Sequence, residues 1–426
     1  MKIARRIVQF LSLGLFVTLL SKFFVKFDPL TTIIISLSAR TLAVLWSLLL
    51  LPILTVLWGR FFCGWFCPVG CILDICGYFL PGKWNALYLR NFKYLLLTVI
   101  GFAALFAVNF VWIFDPLSSM DRAVNLSIFS ATPLWLRFIV PLVFAFVIGA
   151  NFVQRRFWCR NICPLGALLG ILAKFSLTDR IITDNCTNCQ KCENTCPMGN
   201  TLEQYSKLEC IQCRNCSNIC PNQAVKFRIS AARPEKLDIS KRSFFISIGV
   251  GITSAAVIKT EFLKNKHPIR PPGAVSENKF VSLCTRCGEC MKVCPSNGLQ
   301  PAFFDAGIEG IFTPMLKFRV GACEEECTSC GKVCPTGAIE RLTEQEKRNC
   351  QIGLAVIDRT RCLPWAENVL CLVCHDACPY EGIDLRYMDD IYRPFVKEWK
   401  CIGCGICENR CPIQGKSAIE VIATRL

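Results

Sequence analysis

The 426-residue chain contains only two histidines, His267 and His375, and both lie far from its apolar stretches. A haem b held by paired histidines inside a bilayer is therefore excluded, and a Rieske centre, which needs two histidine ligands, is disfavoured. Residues 1–180 also lack glutamate, and their 17 Lys and Arg against five Asp account for 12 of the 16 excess positive charges. A basic excess beside apolar runs is typical of membrane helices with basic flanking loops, so we discard nucleic-acid binding.

Four apolar stretches predict membrane-spanning helices, and a mean hydropathy of +0.40 is too high for an ordinary soluble protein. The basic N-terminus precedes a run without a small-residue cleavage site, so we expect an uncleaved first helix. Basic residues cluster at alternate loops and place the N-terminus on the cytoplasmic side of a bacterial inner membrane. The predicted spans are about Ile7–Phe27, Thr41–Trp58, Phe92–Phe114 and Pro133–Val153.

The apolar region contains an internal duplication. The sequence FDPL follows the first predicted helix at 27–30 and the third at 114–117. The second and fourth helices are followed by RFFCGWFCPVG at 60–70 and RFWCRNICPLG at 156–166. This order predicts two parallel copies related by a two-fold axis along the membrane normal.

Each FDPL sequence has two interpretations. Proline ends a helix and disfavours helix in the preceding residue, so FDPL can be a turn only. Alternatively, Asp28 and Asp115 accept the protons of a quinol.

The two C-x3-C-P motifs are the predicted redox or metal motif of the membrane region. Their cysteines are Cys63, Cys67, Cys159 and Cys163, at the cytoplasmic ends of the second and fourth helices. Four thiolates can converge on the two-fold axis and hold one metal or cluster. They can also form two thiol/disulfide couples, or serve only as Cys-Pro turns.

Two runs of C-x2-C-x2-C-x3-C-P follow the apolar region. This is the bacterial ferredoxin spacing, in which three close cysteines and the fourth of the neighbouring run hold one [4Fe-4S] cluster. Zinc also takes four cysteines, but the repeated triple spacing with C-P disfavours it. The predicted ligands are Cys186, Cys189, Cys192 and Cys220 (set I) and Cys210, Cys213, Cys216 and Cys196 (set II).

Four further cysteine groups follow, so that the chain holds six predicted [4Fe-4S] clusters. One group has an extra residue in its first gap, and another has a first gap of eight residues. A nested pairing of the first group with the fourth uses the same 16 ligands as a sequential pairing. The sequential pairing gives Cys284, Cys287, Cys290 and Cys334 (set III), Cys323, Cys327, Cys330 and Cys294 (set IV), Cys362, Cys371, Cys374 and Cys411 (set V), and Cys401, Cys404, Cys407 and Cys378 (set VI).

Residues 371–375 also fit C-x2-C-H, the attachment motif of haem c. Because Cys378-Pro379 completes a ferredoxin group at the expected spacing, we expect no haem. Three cysteines remain unassigned, and a buried apolar role is expected for them. They are Cys71, Cys76 and Cys350.

The expected fold is an α-helical membrane domain of four helices, with a fifth linking helix and α+β ferredoxin-like domains. Ser243–Ile258 follows a twin-arginine-like KRSFF sequence, and it predicts a short fifth span or a buried soluble helix. The predicted domains are 1–178 for the duplicated membrane region, 179–230 for two clusters, 231–278 for the linker and 279–426 for four clusters.

Residues 1–230 resemble the NapH-type membrane component of quinol dehydrogenases that serve periplasmic nitrate reductase. The resemblance rests on the four helices, RFFCGWFCP, RFWCRNICP and the two ferredoxin runs. Residues 240–426 resemble NapG/MauM-type ferredoxins through KRSF, LCTRCGEC, VCPTGAIE, IGLAVIDRTRCLPW, CLVC and CIGCGIC. Such proteins are usually two chains, and here they are joined.

The resemblance implies an electron-transfer protein, the quinol-oxidising subunit of a quinol dehydrogenase. Electrons would pass from membrane quinol to a periplasmic cytochrome or molybdoenzyme, with residues 179–230 cytoplasmic and 262–426 periplasmic. The competing function is a polyferredoxin assembly or maintenance factor that reduces metal or thiols in a partner. A redox sensor is a third possibility, but the sequence contains no regulatory module.

Overall fold

The structure is a computed structural model that describes residues 2–17, 21–40, 45–79, 89–129, 134–203, 205–229, 239–259 and 268–424. The contacts divide the chain into a first unit, 1–123 with 138–259, and a second unit, 124–137 with 260–426. The first unit contains the apolar helices and the first two cysteine groups. Parts of the predicted spans and linker lie outside the described residues, namely 18–20, 41–44, 133, 231–238 and 260–267, which include His267.

The helices of the first unit are short. Four begin with a proline at their first position, where the missing N–H costs no helical hydrogen bond. These are the helices that start in the DPL and CP motifs. The helices are α1 (Lys2–Leu15), α2 (Ser21–Lys26), α3 (Pro29–Ala39), α4 (Leu45–Trp58), α5 (Phe61–Trp65), α6 (Pro68–Phe79), α7 (Phe92–Leu105), α8 (Val111–Phe114), α9 (Pro116–Val124), α10 (Leu134–Gly149), α11 (Phe157–Asn161), α12 (Pro164–Ala173), α13 (Lys191–Asn194), α14 (Asn215–Ile219) and α15 (Lys241–Lys259).

The order of elements is the same in the two copies of the apolar region. Helices α2 to α6 in the first copy correspond to α8 to α12 in the second. In each copy the DPL proline begins one helix, and the next helix leads into the short helix that carries the first cysteine of C-x3-C-P. One apolar core joins the copies and includes Leu30, Leu117 and the four cysteines of the two motifs.

The predicted membrane spans are interrupted. Phe92–Phe114 was expected as one helix, but α7 ends at Leu105 because the chain turns through Ala107, which has a φ of +61°. Among the described residues, Lys241–Lys259 is long and apolar enough to cross a membrane, and the other apolar helices have 10–17 residues. The expectation of four continuous spanning helices is therefore not supported.

Helix α15 agrees with the predicted fifth helix and packs against α7. Its buried residues are Ser247, Gly251 and Ala255, which are spaced by four and form a narrow stripe of small side chains. A Cβ atom added at Gly251 would lie 2.8 Å from the backbone oxygen of Val99. Small residues of this kind let two helices approach closely, while the other faces of α15 remain largely exposed.

The first two cysteine groups lie between the antiparallel strands β1 (Thr178–Ile182) and β2 (Val225–Ile229). Thr178 pairs with Ile229, so this pair of strands holds the two ends of the cysteine-rich segment together. The cysteine-bearing helices α13 and α14 pack together inside it. This arrangement confirms the predicted α+β ferredoxin-like fold.

In the second unit, β5 (Gly353–Ile357) and β8 (Ile419–Ala423) enclose two cysteine groups in the same way, whereas the other two strand pairs lie between groups. Strand β3 pairs with β4, β5 with β8 and β6 with β7, all antiparallel. Residues 125–129 form one turn of π-helix that packs on α17. The elements are α16 (Glu277–Leu283), α17 (Glu289–Lys292), β3 (Leu299–Pro301), β4 (Pro314–Leu316), α18 (Ser329–Val333), α19 (Glu344–Arg348), β5 (Gly353–Ile357), α20 (Leu363–Ala366), α21 (Val373–Asp376), β6 (Ile383–Met388), β7 (Ile391–Val396), α22 (Ile406–Arg410) and β8 (Ile419–Ala423), with 3-10 turns at Phe304–Ala306 and Ile308–Gly310.

Candidate iron–sulfur centres

All 31 cysteines lie in the described part of the chain, and none of them forms a disulfide. In the second unit, three groups of four cysteines surround separate cavities. The walls of the cavity of set V include Ile357, Leu363 and Ile419. Cys362, Cys371 and Cys374 line this cavity together with Cys411, which comes from the next cysteine group.

Two further cavities repeat this arrangement. The four cysteines of set III line one of them, and the four cysteines of set VI line the other. In both cavities the fourth cysteine again comes from the neighbouring group. The structure therefore brings together the sequential sets and not the nested ones.

Set IV is brought together in the same way. Burial and the thiolates of Cys323, Cys327 and Cys294 raise the pKa of Cys330 to about 12. Cys294 therefore lies beside the three close cysteines of the following group. Four close, largely buried thiolates are a suitable ligand set for the iron ions of a cluster.

Set II of the first unit follows the same rule. Burial and the thiolates of Cys196 and Cys216 raise the pKa of Cys210 to about 12, against the lowering effect of the Gln212 backbone N–H. Set II is therefore assembled. For set I, the structure joins the two backbone segments: Asn222 donates to the backbone oxygen of Asn185 at 3.1 Å, next to Cys186.

The loops between the close cysteines have an unusual backbone. In four of the six groups, the residues directly before and after the second cysteine both have positive φ. A backbone that alternates between positive and negative φ points successive N–H groups into one concavity, a nest that binds anionic clusters. The residues are Asn188 and Gln190, Gln212 and Arg214, Arg286 and Gly288, and Gly403 and Gly405.

The C-P cysteines accept backbone hydrogen bonds after the turn. Asn200 donates to Cys196 Sγ at 3.4 Å, Ala224 to Cys220 Sγ at 3.3 Å, and Gly382 to Cys378 Sγ at 3.2 Å. In each case the donor lies four residues after the cysteine. Hydrogen bonds to the sulfur atoms of a cluster are one of the means by which a protein tunes its potential.

The four cysteines of the C-x3-C-P motifs converge, and we call them the C-x3-C set. All four are buried in the apolar core of the first unit, with exposed fractions of 5–9%. Burial raises the pKa of Cys163, and the thiolates of Cys159, Cys63 and Cys67 raise it further. The motifs also match in detail, because Gly70 donates to Cys67 Sγ at 3.5 Å and Gly166 donates to Cys163 Sγ at 3.2 Å.

The arginines that begin the two motifs cross between the copies. Arg156 donates to the backbone oxygens of Cys63 at 2.9 Å and Gly70 at 3.0 Å. The Nη2 atom of Arg60 lies 2.8 Å from where a Cβ atom at Gly166 would stand. An added Cβ atom at Gly70 would stand 2.8 Å from the backbone oxygen of Cys63 and 3.3 Å from Nη2 of Arg156, so both glycines lie in a tight space that an arginine of the other copy helps to fill. The matched R and G of both motifs were the sequence signal for this contact, which was not predicted.

The two arginines have different counter-ions. Arg156 binds Asp74, with contacts of 2.7 and 2.8 Å. Arg60 donates to Glu209 at 3.1 Å and to the backbone oxygen of Leu208 at 3.0 Å, directly before Cys210 of set II. Burial alone would raise the pKa of Glu209, but the charges of Lys93 and Arg60 lower it to about 2.

These residues fit an anionic cluster held by the C-x3-C set. Arg60 is fully buried, yet its Nε and Nη2 atoms have no hydrogen-bond partner in the described part of the chain. Unsatisfied N–H groups on a buried guanidinium are costly, and besides its partner Glu209 this guanidinium faces the thiolates of Cys63 and Cys163. Four thiolates and two buried arginines form a suitable donor set for an iron–sulfur cluster.

The loop of the first C-x3-C motif, which carries Cys63 and Cys67, contacts the ligand loop of set II. The backbone of Gly64 lies so close to that loop that an added Cβ atom would stand 2.3 Å from the Ile211 oxygen. Trp65 donates to the backbone oxygen of Gln212 at 3.1 Å. Cys196 and Cys213 of set II pack against the apolar core that contains the C-x3-C set.

The FDPL motifs bring two aspartates together. Asp28 and Asp115 are fully buried, and their carboxyl groups lie within hydrogen-bonding distance of each other. Each caps a helix: Asp28 accepts from the N–H of Leu30 at 3.1 Å, and Asp115 accepts from the N–H of Ser118 at 2.6 Å. Burial raises the pKa of both groups, and the charge of Asp115 raises that of Asp28 further.

The remaining cysteines and the haem-like motif are placed as follows. Cys71 and Cys350 are buried and Cys76 is partly exposed. His375 lies at the surface with its Nδ1 atom 3.0 Å from Asp376 Oδ1, while Cys371 and Cys374 line the cavity of set V.

Sequence families match most of the cysteine motifs. A 4Fe-4S binding domain matches residues 41–86 and 136–181, so each match contains one C-x3-C-P motif. A 4Fe-4S dicluster domain matches residues 209–298 and 369–414, and another 4Fe-4S binding domain matches 183–199. No solved structure matches the chain.

Several ferredoxin-type proteins are similar to the chain. The methylamine utilization ferredoxin-type protein MauM of Methylorubrum extorquens is 33% identical over 207 residues, which cover 46% of this chain and 91% of MauM. The ferredoxin-type protein NapG of Escherichia coli is 37% identical over 169 residues, covering 37% of this chain and 71% of NapG. The ferredoxin-type protein NapF of the same species is 29% identical over 163 residues, covering 38% of this chain and 91% of NapF.

The cysteine-lined cavities and these matches define an iron–sulfur electron-transfer protein with ferredoxin-type 4Fe-4S domains. More particularly, the chain belongs to the family of ferredoxin-type proteins that includes MauM and NapG, which it matches in its C-terminal part. The predicted NapG/MauM resemblance is thereby confirmed. The NapH-type resemblance of residues 1–230 stays a prediction.

Proposed function

We propose that the chain takes electrons from a membrane quinol in its first unit and passes them through [4Fe-4S] clusters to a periplasmic redox protein. The observation that carries this proposal is the convergence of the C-x3-C set inside an apolar core, in contact with the loop of set II. Buried thiolates next to a ferredoxin-type loop are suited to receive electrons from an apolar donor and to pass them on.

The proposed ligands are the cysteines of sets I to VI, one set for each of six clusters. The cavities of sets III, V and VI and the nests of positive-φ residues support this assignment. The C-x3-C set holds a seventh metal centre, in keeping with the 4Fe-4S binding domain that matches both motifs. When bound, such clusters carry single electrons.

The protein's own side chains hold the proposed electron entry in place. Arg60 and Arg156 balance the negative charge of four thiolates, and Asp74 and Glu209 fix the two guanidinium groups. The apolar core excludes water from the thiolates, which strengthens each of these electrostatic contacts.

Quinol oxidation releases two protons and two electrons, so a proton acceptor is needed as well. The Asp28–Asp115 pair is buried and belongs to the same unit, and burial raises the pKa of both carboxyl groups. We therefore assign this pair as the acceptor of one quinol proton, and the second proton is released to water. The hydrogen bonds from Leu30 and Ser118 hold the two carboxyl groups in position.

The first unit is proposed to lie in the bacterial inner membrane in several passes. Large apolar side chains are exposed on its helices: Ile53 on α4 is 52% exposed, and Phe138, Leu142 and Phe146 on α10 are 68–77% exposed. Apolar faces of this extent are covered by lipid or by protein. Because α4, α7 and α10 have 14–16 residues, about 21–24 Å, they would cross with flanking segments or in a thinned bilayer.

We also propose domain limits at 178, 230 and 278. The proposal further states on which side of the membrane each iron–sulfur domain lies. The basic loops place residues 179–230 in the cytoplasm and 262–426 in the periplasm. A cleavable tag inserted at Pro271 should be reached only from the periplasmic side. Cleavage only from the cytoplasmic side would overturn this orientation.

The experiment that tests the function is the anaerobic addition of reduced quinol to membranes that contain the chain. We expect the visible absorption of the clusters to bleach, and the extent should approach that produced by dithionite. If dithionite reduces the clusters and no quinol does, quinol oxidation is wrong, and the function reduces to ferredoxin-type electron transfer from another donor.

A further inference from the structure

The four cysteine sets of the second unit are not arranged in the order in which they occur along the chain. Helix α17, which carries Cys290 of set III, packs against α18, which carries Cys330 of set IV. Helix α21, with Cys374 of set V, packs against α22, with Cys407 of set VI. These contacts give two adjacent pairs, III with IV and V with VI.

The contact between the two pairs is made by sets IV and VI. The N–H of Cys323 in set IV donates to the backbone oxygen of Cys404 in set VI at 3.0 Å. This hydrogen bond joins one ligand loop directly to the other. The ligand loops of sets IV and VI are therefore in direct contact at this point.

Side chains around this hydrogen bond keep the two loops in contact. A Cβ atom at Gly405 would stand 2.0 Å from the ring of Phe318, so the ring packs directly against the backbone of the ligand loop of set VI. Asn409 donates to the backbone oxygen of Phe318 at 2.7 Å. Tyr380 lines the cavity of set VI, and it lies close enough to Cys404 and Cys323 for their thiolates to raise its pKa beyond the effect of burial.

Set III forms one end of this arrangement. Asn125 donates to the backbone oxygen of Cys287 at 3.1 Å and to Glu289 at 2.9 Å. The cysteines Cys284, Cys287 and Cys290 are all buried. The turn of π-helix at Asn125–Phe129 thus packs on the ligand loop of set III through Asn125.

Set V forms the other end of the arrangement of four sets. The widened first gap in its cysteine spacing explains this position. The eight residues between Cys362 and Cys371 form α20 and an exposed segment in which Val369 is 48% and Leu370 59% exposed. Trp365 anchors this segment by donating to the backbone oxygen of Pro394 at 3.3 Å. The insertion therefore brings the loop of Cys371 to the surface.

We propose that electrons pass through the second unit in the order set III, set IV, set VI and set V, with the Cys323–Cys404 contact as the link between the two pairs. The inference rests on the proposed function in that the sets hold clusters and transfer electrons. Set V is then the terminal site for exchange with a partner protein, although its first cysteine precedes those of set VI in the chain.

Removal of single clusters from the full-length protein tests this order. In Cys404→Ala, which lacks the cluster of set VI, quinol should reduce sets III and IV and leave set V oxidised. In Cys371→Ala, which lacks the cluster of set V, quinol should reduce sets III, IV and VI. Mössbauer spectra of iron-57-labelled protein count the reduced clusters, and dithionite establishes that the remaining clusters are assembled.

A sequential route, III to IV to V to VI, gives the reverse pattern and would overturn the proposal: set V reduced in the first variant, and set VI oxidised in the second. Wild-type protein that quinol fails to reduce counts against the proposed function and not against the order. If quinol does not reduce the wild type, or if either variant loses both clusters of its pair, the order of the clusters is decided by the magnetic interactions between clusters in dithionite-reduced wild type. Coupling of set VI with both IV and V supports the order, and coupling of set V with IV overturns it.

Discussion

Arg156 donates from its guanidinium to the backbone oxygen of Cys63 at 2.9 Å, although the two residues belong to different copies of the duplicated region. An arginine of the second copy therefore completes the thiol loop of the first, while Arg60 of the first copy lies beside Gly166 of the second. This relationship explains why the motif extends beyond C-x3-C-P to an arginine at its start and a glycine at its end. It also makes the C-x3-C set a single centre built by both copies.

The first prediction concerns the counter-ion of Arg156. Asp74→Asn leaves Arg156 without its carboxylate partner, and we expect the unfolding free energy to fall by about 3–5 kcal/mol. The exposed carboxylate of Asp376 provides the control, because Asp376→Asn should change stability by less than about 1 kcal/mol. Thermal unfolding of the two variants measures the difference, and equal effects would contradict the assigned role of Asp74.

The same carboxylate predicts a pH dependence. Burial alone would raise the pKa of Asp74, but Arg156 and Arg5 lower it below its ordinary value. The ion pair therefore stabilises the protein above pH about 4, and this stability is lost as the pH falls through the lowered pKa. Wild type should lose more stability than Asp74→Asn between pH 5 and the acid limit of folding, as measured by unfolding at each pH.

The close approach of Gly64 to Ile211 predicts a size limit at that position. Gly64→Ala places a methyl group 2.3 Å from the Ile211 oxygen, so the C-x3-C loop and the set II loop must separate. We expect a lower unfolding temperature and slower quinol-dependent reduction of set II. Gly77→Ala is the matched control, since an added Cβ there meets nothing within 4 Å. If both variants behave alike, the contact has no role.

The aspartate pair predicts slower quinol oxidation without loss of fold. Asn caps helices about as well as Asp, so Asp28→Asn should retain α3 while it removes one carboxyl group of the pair. We expect quinol oxidation to slow by about 10²-fold or more, while reduction by dithionite is unchanged. Asp115→Asn should have the same effect. A normal rate in both variants would leave FDPL with its turn function only.

The cysteine groups show how much the sequence can predict. Spacing alone identified all six groups and the α+β fold around them, because a cubane cluster needs three close thiolates and a distant fourth. The pairing of the groups could not be decided from spacing, since either arrangement uses the same cysteines. It depends on packing between helices such as α17 and α18, which are distant in the sequence.

The helices and the arginines show where sequence reasoning falls short. Hydropathy predicted a continuous helix over Phe92–Phe114, but it does not register a single backbone turn such as that at Ala107. Arg60 and Arg156 lie beside the glycines of the opposite copy, which are 106 and 86 residues away in the sequence. The matched R and G of the two motifs were the available signal.

The most direct test of the account is the double variant Cys63→Ser with Cys159→Ser, with Cys76→Ser as a matched control outside the C-x3-C set. Quinol is added to anaerobic membranes, and reduced clusters are counted by Mössbauer spectroscopy against a dithionite-reduced sample. We predict that the double variant retains the six clusters of sets I to VI and that quinol reduces none of them, while Cys76→Ser behaves as wild type. Reduction by quinol to the wild-type extent in the double variant would contradict the account and leave the C-x3-C-P motifs as turns.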